Sequence, residues 1–171
     1  MHVELLLLRL VHILGGIFWV GSVLFTTLFL MPALALSGAN PGQIMGALQR
    51  RGFMTVMPIV GLLTIGSGLR LLYVTSGGFS PAFFGTPMGR ALSVGGNSAI
   101  LAFLISIFVM RRGNMRSARL GAELATADDT RRTSITRELS ILRRRGMVAS
   151  TIVVALLVVA ASAMASARYL R

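Results

Sequence analysis

The segment 91–110 reads ALSVGGNSAILAFLISIFVM and contains no charged side chain. Its length suits a membrane-spanning helix, which needs about 20 mostly apolar residues. Further uncharged stretches run through 10–49, 52–69 and 146–167, and 54% of the 171 residues are hydrophobic. These features predict an all-α fold, a polytopic membrane four-helix bundle that forms a single transmembrane domain over residues 1–171.

The four transmembrane helices are predicted at about 3–36, 53–76, 89–110 and 146–169. The first is too long for the apolar region of a signal peptide, so we expect it to be retained. Pro32 and Pro58 are expected to kink the first and second helices, because proline removes a backbone donor. The lipid bilayer of the bacterial inner membrane is the predicted location.

The basic segment 111–145 determines the predicted orientation. It holds ten arginines and four acids. Basic loops remain in the cytoplasm, so this segment and the loop that carries Arg50 and Arg51 are expected to be cytoplasmic. With four spans, both termini are then expected in the periplasm.

The same segment has helical character. Ile135, Leu139 and Leu142 recur at helical spacing after a capping signal at Asp128 and Asp129. This pattern extends helices three and four into a cytoplasmic hairpin that turns near 126–128. Its surface could be a docking arm or a contact for anionic lipids, or simply a solvated positive-inside hairpin. Nucleic-acid binding is not expected, because membrane topology already explains the basic residues.

The uncharged loop 77–89 combines four glycines and two prolines with three phenylalanines. Such a composition predicts a turn-rich segment at the membrane interface, where aromatic side chains act as anchors. A lid over a ligand is the alternative.

His12 is the one histidine inside a predicted span. Arg9, Gly16 and Trp19 follow its helical spacing of three and four, so these residues share one face. An ionisable residue in a membrane suggests function because its burial is costly without a partner. As neutral imidazole ligates haem iron, His12 is the candidate metal ligand; the alternative is a hydrogen bond across the bundle. Gly15 and Gly16 could admit a flat macrocycle or another helix.

A cationic rim is expected above His12. At about 1.5 Å per residue, His12 and Asn97 should lie at similar depths and could face one another. Arg9 and Arg70 would ring the same outer-side cavity and bind carboxylates or phosphates. Arg70 follows a groove of small residues from 61 to 68. The alternative is that these arginines snorkel to headgroups, which is the expected behaviour of two at the helix ends: Arg90 and Arg168.

Several classes of chemistry lack their residues in this sequence. There is no cysteine, and the predicted spans contain no nucleophile–base pair, glycine-rich phosphate loop or acidic metal cluster. Hydrolases and phosphotransferases are therefore not expected. Ten methionines allow a copper site through thioether ligands, although Met54 and Met57 alone form a helical pair and ordinary packing explains the others.

The run 10–21, LVHILGGIFWVG, joins His12 to small residues, Trp19 and Gly21, and the second span follows with Pro58 and glycines from 61 to 68. This pattern resembles the CopD-like superfamily of small bacterial four-helix integral membrane proteins, which includes the copper-resistance protein CopD and the HemJ protoporphyrinogen oxidases. The resemblance implies a four-helix bundle and, if HemJ-like, haem b held through His12. A lysine in the third helix of HemJ has no counterpart, because 93–98 reads SVGGNS.

Three functions follow from these observations. The first is binding of haem b or another anionic ligand in an outer-side cavity, for redox chemistry or electron transfer. The second is a non-enzymatic accessory or assembly subunit that packs against a membrane-protein partner or a second copy of the chain. The third is transport of copper or another small solute. The candidate binding residues of the first are His12, Arg9, Arg70, Asn97, Trp19 and Gly16.

Overall fold

The structure is a computed structural model, and it describes residues 2–37, 41–124 and 126–170. The described chain is helical and has no strand. Six helices follow one another: α1 (His2–Leu36), α2 (Pro41–Arg50), α3 (Phe53–Thr75), α4 (Pro81–Gly85), α5 (Pro87–Glu123) and α6 (Asp129–Ala167).

Four of these helices, α1, α3, α5 and α6, are long and apolar enough to cross a membrane. They correspond to the four predicted spans, and short connections make neighbours antiparallel. The predicted helical continuation of the basic segment is confirmed: α5 runs on to Glu123 and α6 begins at Asp129. The all-helical prediction is therefore correct, and α5 and α6 leave the apolar region as a helical hairpin.

The bundle is assembled from two closely packed pairs, α1 with α3 and α5 with α6, and lesser contacts join the pairs. Its apolar centre receives a residue from each pair, because Trp19 of α1 clusters with Ala102 of α5 and with Val153 and Leu157 of α6. Val60 of α3 packs against the same cluster. All four long helices therefore meet in one core.

Many large apolar side chains point away from this core. Leu14, Ile17 and Leu62 are each more than half exposed, whereas Thr64 and Ser67 are buried between helices. A soluble bundle would bury its leucines and expose its hydroxyls. The arrangement suits a molecule whose outer surface contacts an apolar medium.

Both prolines lie inside long helices. A π-helical turn at Thr26–Leu30 ends two residues before Pro32, and a wider turn accommodates a missing backbone donor. Pro58 lies inside α3, and the kinks expected at both prolines stay predictions. A second π-helical turn, Ser106–Met110, lies in α5 just before the basic segment.

The connection between α3 and α5 is a compact turn. Gly77 and Gly78 adopt positive φ angles of 65° and 84°, and Phe79 follows with a φ of 62°. The backbone N–H of Phe79 donates to the hydroxyl of buried Ser76 at 2.8 Å, which stabilises this uncommon conformation. The start of α1 and the end of α6 lie at this end of the bundle, and we call it the terminal end; the opposite end is the hairpin end.

Candidate functional site

His12 lies between α1 and α3 and bonds to the backbone of the other helix. Its Nδ1 atom is 2.8 Å from the carbonyl oxygen of Thr64. Because a carbonyl oxygen only accepts, Nδ1 is the donor in this bond, and the neutral tautomer that fits it has its lone pair on Nε2. Within the described residues Nε2 has no hydrogen-bond partner. The bond from Nδ1 therefore orients the ring, and Nε2 is available to bind another group.

The polar groups around this contact are satisfied within α3. The Thr64 hydroxyl donates to the Val60 carbonyl at 2.8 Å, and the Ser67 hydroxyl donates to the Leu63 and Thr64 carbonyls at 2.6 and 3.1 Å. In the described part of the chain, no buried side-chain nitrogen or oxygen lacks a partner. His12 thus adds a link between helices to a region that is otherwise internally bonded.

Two glycines allow α1 and α3 to approach closely around His12. A Cβ atom placed on Gly68 would lie 2.6 Å from His12 Cε1, and one on Gly15 would lie 2.5 Å from Thr64 Oγ1. Each glycine therefore receives a side chain of the facing helix. The sequence left open whether Gly15 and Gly16 admit a macrocycle or a helix, and in the structure α3 lies against them; Gly16 is in ordinary contact with Thr64 Cγ2.

Trp19 occupies the apolar centre of the bundle, one step further along the same face of α1. It is 4% exposed, and its ring meets that of Phe103 edge-on with 5.9 Å between centroids. Gly61 of α3 makes room for both rings, because its Cβ would lie within 3.4 Å of each. Trp19 was predicted to line the ligand site, and the structure gives it these packing contacts.

Arg70 is neutralised at the terminal end. Its Nη2 and Nε atoms both donate to Oε1 of Glu4, at 2.8 and 3.1 Å, and its guanidinium also lies 5.6 Å from the centre of the Tyr73 ring. The pair lies on the same two helices as the His12 contact. Arg70 therefore already has an anionic partner, which reduces its capacity to hold an external anion.

Arg9 has a different environment. It is exposed on α1, three residues before His12, and makes no ion pair or hydrogen bond within the described residues. Arg90 and Arg168 are also exposed, and the guanidinium of Arg168 lies 4.9 Å from the centre of the Tyr169 ring. Of the predicted cationic rim, Arg9 is the member closest in sequence to His12 and has no anion.

Asn97 is exposed on α5. A side chain that faced His12 across the bundle would be enclosed by the helices, so the structure does not bring Asn97 to the histidine. The physical reason lies in the packing: α5 pairs with α6, and its buried face near this depth is Gly95, whose Cβ would meet Met164. Asn97 lies two residues further on, about 200° around the helix.

The aromatic residues of the loop after α3 pack on one another. Phe79 contacts Tyr73 and Phe84, with centroid distances of 5.3 and 6.4 Å, and Phe84 contacts Phe83. They form a small cluster beside Arg70. None of these ring contacts involves His12, so they do not support the alternative of a lid over a ligand at that residue.

The partners Thr64 and Gly68 were noticed in the sequence as members of a small-residue groove, but they were not matched to His12. The signal was a reciprocal spacing: 12, 15 and 19 on the first helix against 68, 64 and 61 on the second. Antiparallel helices bring such positions together in reverse order. In each of the three pairs, a glycine on one helix faces a larger residue on the other.

Two shallow clefts lie on the hairpin. One is lined by Gly121, Leu124, Arg132 and Thr136, and another by arginines of both hairpin helices. No group of three or more histidine, aspartate or glutamate side chains in the described chain could hold a metal ion. Met57 of the predicted methionine pair packs against the apolar core.

Chemically, the arrangement offers one oriented imidazole and one arginine without an anion on the same helix. A histidine that donates from one nitrogen to a carbonyl has the orientation common among metal-ligating histidines. The contact is equally a stabilising link between helices. No protein-family model, curated protein or solved structure matches the chain.

Proposed function

We propose that the protein is a four-helix integral protein of the bacterial inner membrane, with a cytoplasmic hairpin and periplasmic termini. Four long apolar helices with leucine-rich outer surfaces support membrane insertion. The ten arginines of 111–145 support the orientation, because basic segments resist translocation.

Within this bundle, the proposed function is binding of haem b through Nε2 of His12, in keeping with the resemblance to the CopD-like superfamily. The observation that carries the proposal is the bond from His12 Nδ1 to the Thr64 carbonyl. It selects the tautomer that a metal ligand needs and holds the ring in place. Bound haem would supply one-electron redox chemistry at the periplasmic side of the membrane.

The residues around His12 fit such a group under one condition. The seam between α1 and α3 is filled at Gly15 and Gly68, so a macrocycle has no space within it and must approach Nε2 from outside the seam. Arg9 lies on that helix without an anion and could bind a propionate. His12 would supply one protein ligand to the iron.

The experiment is an optical spectrum of the purified protein before and after addition of haem. We expect a Soret band in the wild type, its loss in His12→Gly, and its return when imidazole is added to that variant, since free imidazole can occupy the space of the missing ring. His2→Ala is the matched control and should keep the band, because His2 lies at the exposed start of α1.

A wild-type protein without a Soret band after haem addition would exclude this function. A band that persists in His12→Gly without imidazole would exclude His12 as the ligand. In the first case the non-enzymatic accessory subunit becomes the better interpretation.

A further inference from the structure

The hairpin separates its charges along its length. All four of its acids lie within 123–138, and five arginines lie within 116–138, the part of the hairpin furthest from the apolar region. The other five arginines lie where α5 and α6 leave the apolar region, and no acid accompanies them. Two more arginines precede α3 at this end of the bundle. We call these seven residues the arginine collar: Arg50, Arg51, Arg111, Arg112, Arg143, Arg144 and Arg145.

The ion pairs of the hairpin follow the same division. Arg131 donates to Glu123 at 2.7 Å, and Arg116 donates to Glu138. Both pairs lie beyond the collar. Every collar arginine is exposed, and none has an acidic partner in the described part of the chain.

These two ion pairs also establish the register of the hairpin. Moving from Glu123 to Arg116 on α5 is matched by moving from Arg131 to Glu138 on α6, seven residues in each case. Continuing five residues further along each helix brings Arg111 level with Arg143. The collar arginines of α5 and α6 therefore lie at one height above the membrane.

That height is the boundary of the apolar region. From the collar to the terminal end, α5 has the uncharged segment 91–110 and α6 has 146–167, each about 30 Å long at 1.5 Å per residue, which matches the hydrocarbon thickness of a bilayer. The guanidinium of Arg112 lies 6.0 Å from the centre of the Phe108 ring, so it stays beside the last apolar turn. Arg143, Arg144 and Arg145 are consecutive and span about 200° of α6.

From this geometry we infer that the arginine collar binds the phosphate headgroups of anionic phospholipids around the hairpin end of the bundle. Five cations at one level, with Arg50 and Arg51 at the same end of the bundle, repel one another unless anions lie between them. Planar guanidinium groups bind phosphate oxygens in pairs. Headgroup phosphates of the surrounding leaflet lie at the same boundary. They can therefore neutralise the collar arginines without a further binding partner.

The distribution of acids favours lipid over an acidic protein or a nucleic acid. A soluble partner could reach the exposed distal arginines as easily as the collar, so it would not require the acids to be confined to the distal part. An anionic membrane surface acts within about a Debye length. It would repel acids near the boundary and act only weakly on Glu123, Asp128 and Asp129, which lie roughly 20 Å away at 1.5 Å per residue. The remaining acid, Glu138, lies roughly 8 Å from the collar and is paired with Arg116.

The test uses the full-length protein in nanodiscs made of equimolar phosphatidylglycerol and phosphatidylcholine, with native mass spectrometry of the lipids it retains after release. We expect the wild type to retain mainly phosphatidylglycerol. The variant R143Q/R144Q/R145Q should lose this preference by up to a hundredfold, because each arginine near an anionic surface contributes about fivefold in affinity. Raised salt should weaken the preference in the wild type.

The matched control is R119Q/R132Q/R137Q, which removes three distal arginines without breaking either ion pair and should keep the preference. R143K/R144K/R145K retains the charge, and hence the topology, and should retain most of the preference.

Three results would overturn the inference: equal retention of both lipids by the wild type, equal loss in the collar and distal variants, or loss of a co-purifying nucleic acid or acidic protein instead of lipid from the collar variant.

Discussion

At the scale of single residues, the position of His12 depends on Gly68, which has no side chain. Its imidazole lies where a Cβ on Gly68 would be, and this closeness lets Nδ1 reach the Thr64 carbonyl. The sequence identified His12, because a histidine within an apolar span is unusual. It did not identify the acceptor, since every residue has a carbonyl and side-chain patterns do not distinguish one from another. Asn97 is exposed on α5, and the residue spacing used to place it level with His12 does not determine its rotation about the helix axis.

Gly68→Ala should displace the imidazole and break its bond to Thr64. Overpacking of this kind costs about 1–3 kcal/mol, measured as the change in unfolding free energy in mixed detergent micelles. Gly66→Ala is the control on the same helix, because no described atom lies within 4 Å of its Cβ position. Nitrogen-15 chemical shifts of His12 should change in Gly68→Ala alone. If both variants unfold alike, the close approach at Gly68 contributes nothing to stability.

At the scale of elements, the long helices follow from composition and the connections between them follow from turn chemistry. The start of α6 was predictable because Asp128 accepts a hydrogen bond from the backbone N–H of Arg131, at 2.7 Å. The π-helical turns at Thr26–Leu30 and Ser106–Met110 were not predictable. A π turn differs from an α turn by the choice of one hydrogen-bond acceptor, and the side chains of these two segments do not favour one over the other.

The tip of the hairpin should loosen in acid. The hydrogen bond from Arg131 lowers the pKa of Glu123 below its ordinary value of 4.5. A carboxylate with a lowered folded pKa stabilises the folded state above its ordinary pKa, and this contribution disappears as the pH falls through the lowered pKa. Spin labels on Gly121→Cys and Ser134→Cys, in a chain without native cysteine, would report the distance across the tip.

The distance distribution should broaden as the pH falls below about 4.5, the ordinary glutamate value. The variant Glu123→Gln removes this carboxylate, so its pH response should be weaker. Identical responses in both proteins would show that the ion pair with Arg131 does not hold the tip together.

At the scale of the whole molecule, polarity is arranged from inside to outside. Hydroxyls of α3 and the His12 ring lie between helices, and leucines and isoleucines cover the exterior. This arrangement was predictable from the length and apolarity of the four helices, and so much exposed apolar surface suits an apolar surrounding medium. The pairing of α1 with α3 and of α5 with α6 follows from short connections between consecutive helices. The filled seam at Gly15 depends on atomic fit, which composition does not encode.

The orientation of the bundle can be read with single cysteines. Ser140→Cys lies in the exposed hairpin and Ser166→Cys at the exposed terminal end. With a membrane-impermeant maleimide, Ser166→Cys should react in spheroplasts and Ser140→Cys only after lysis, because the arginine-rich segment stays in the cytoplasm. The reverse pattern would contradict the proposed orientation.

The contact between Glu4 and Arg70 joins residues 66 positions apart in the chain, and this separation has a consequence in time. At 5–20 residues per second, a ribosome needs roughly 3–13 s to synthesise the intervening segment. During that interval α1 carries an acid without its arginine and a histidine without its acceptor. The first helix therefore completes its polar contacts only when α3 reaches the membrane, so the two helices are best regarded as a single unit of biogenesis.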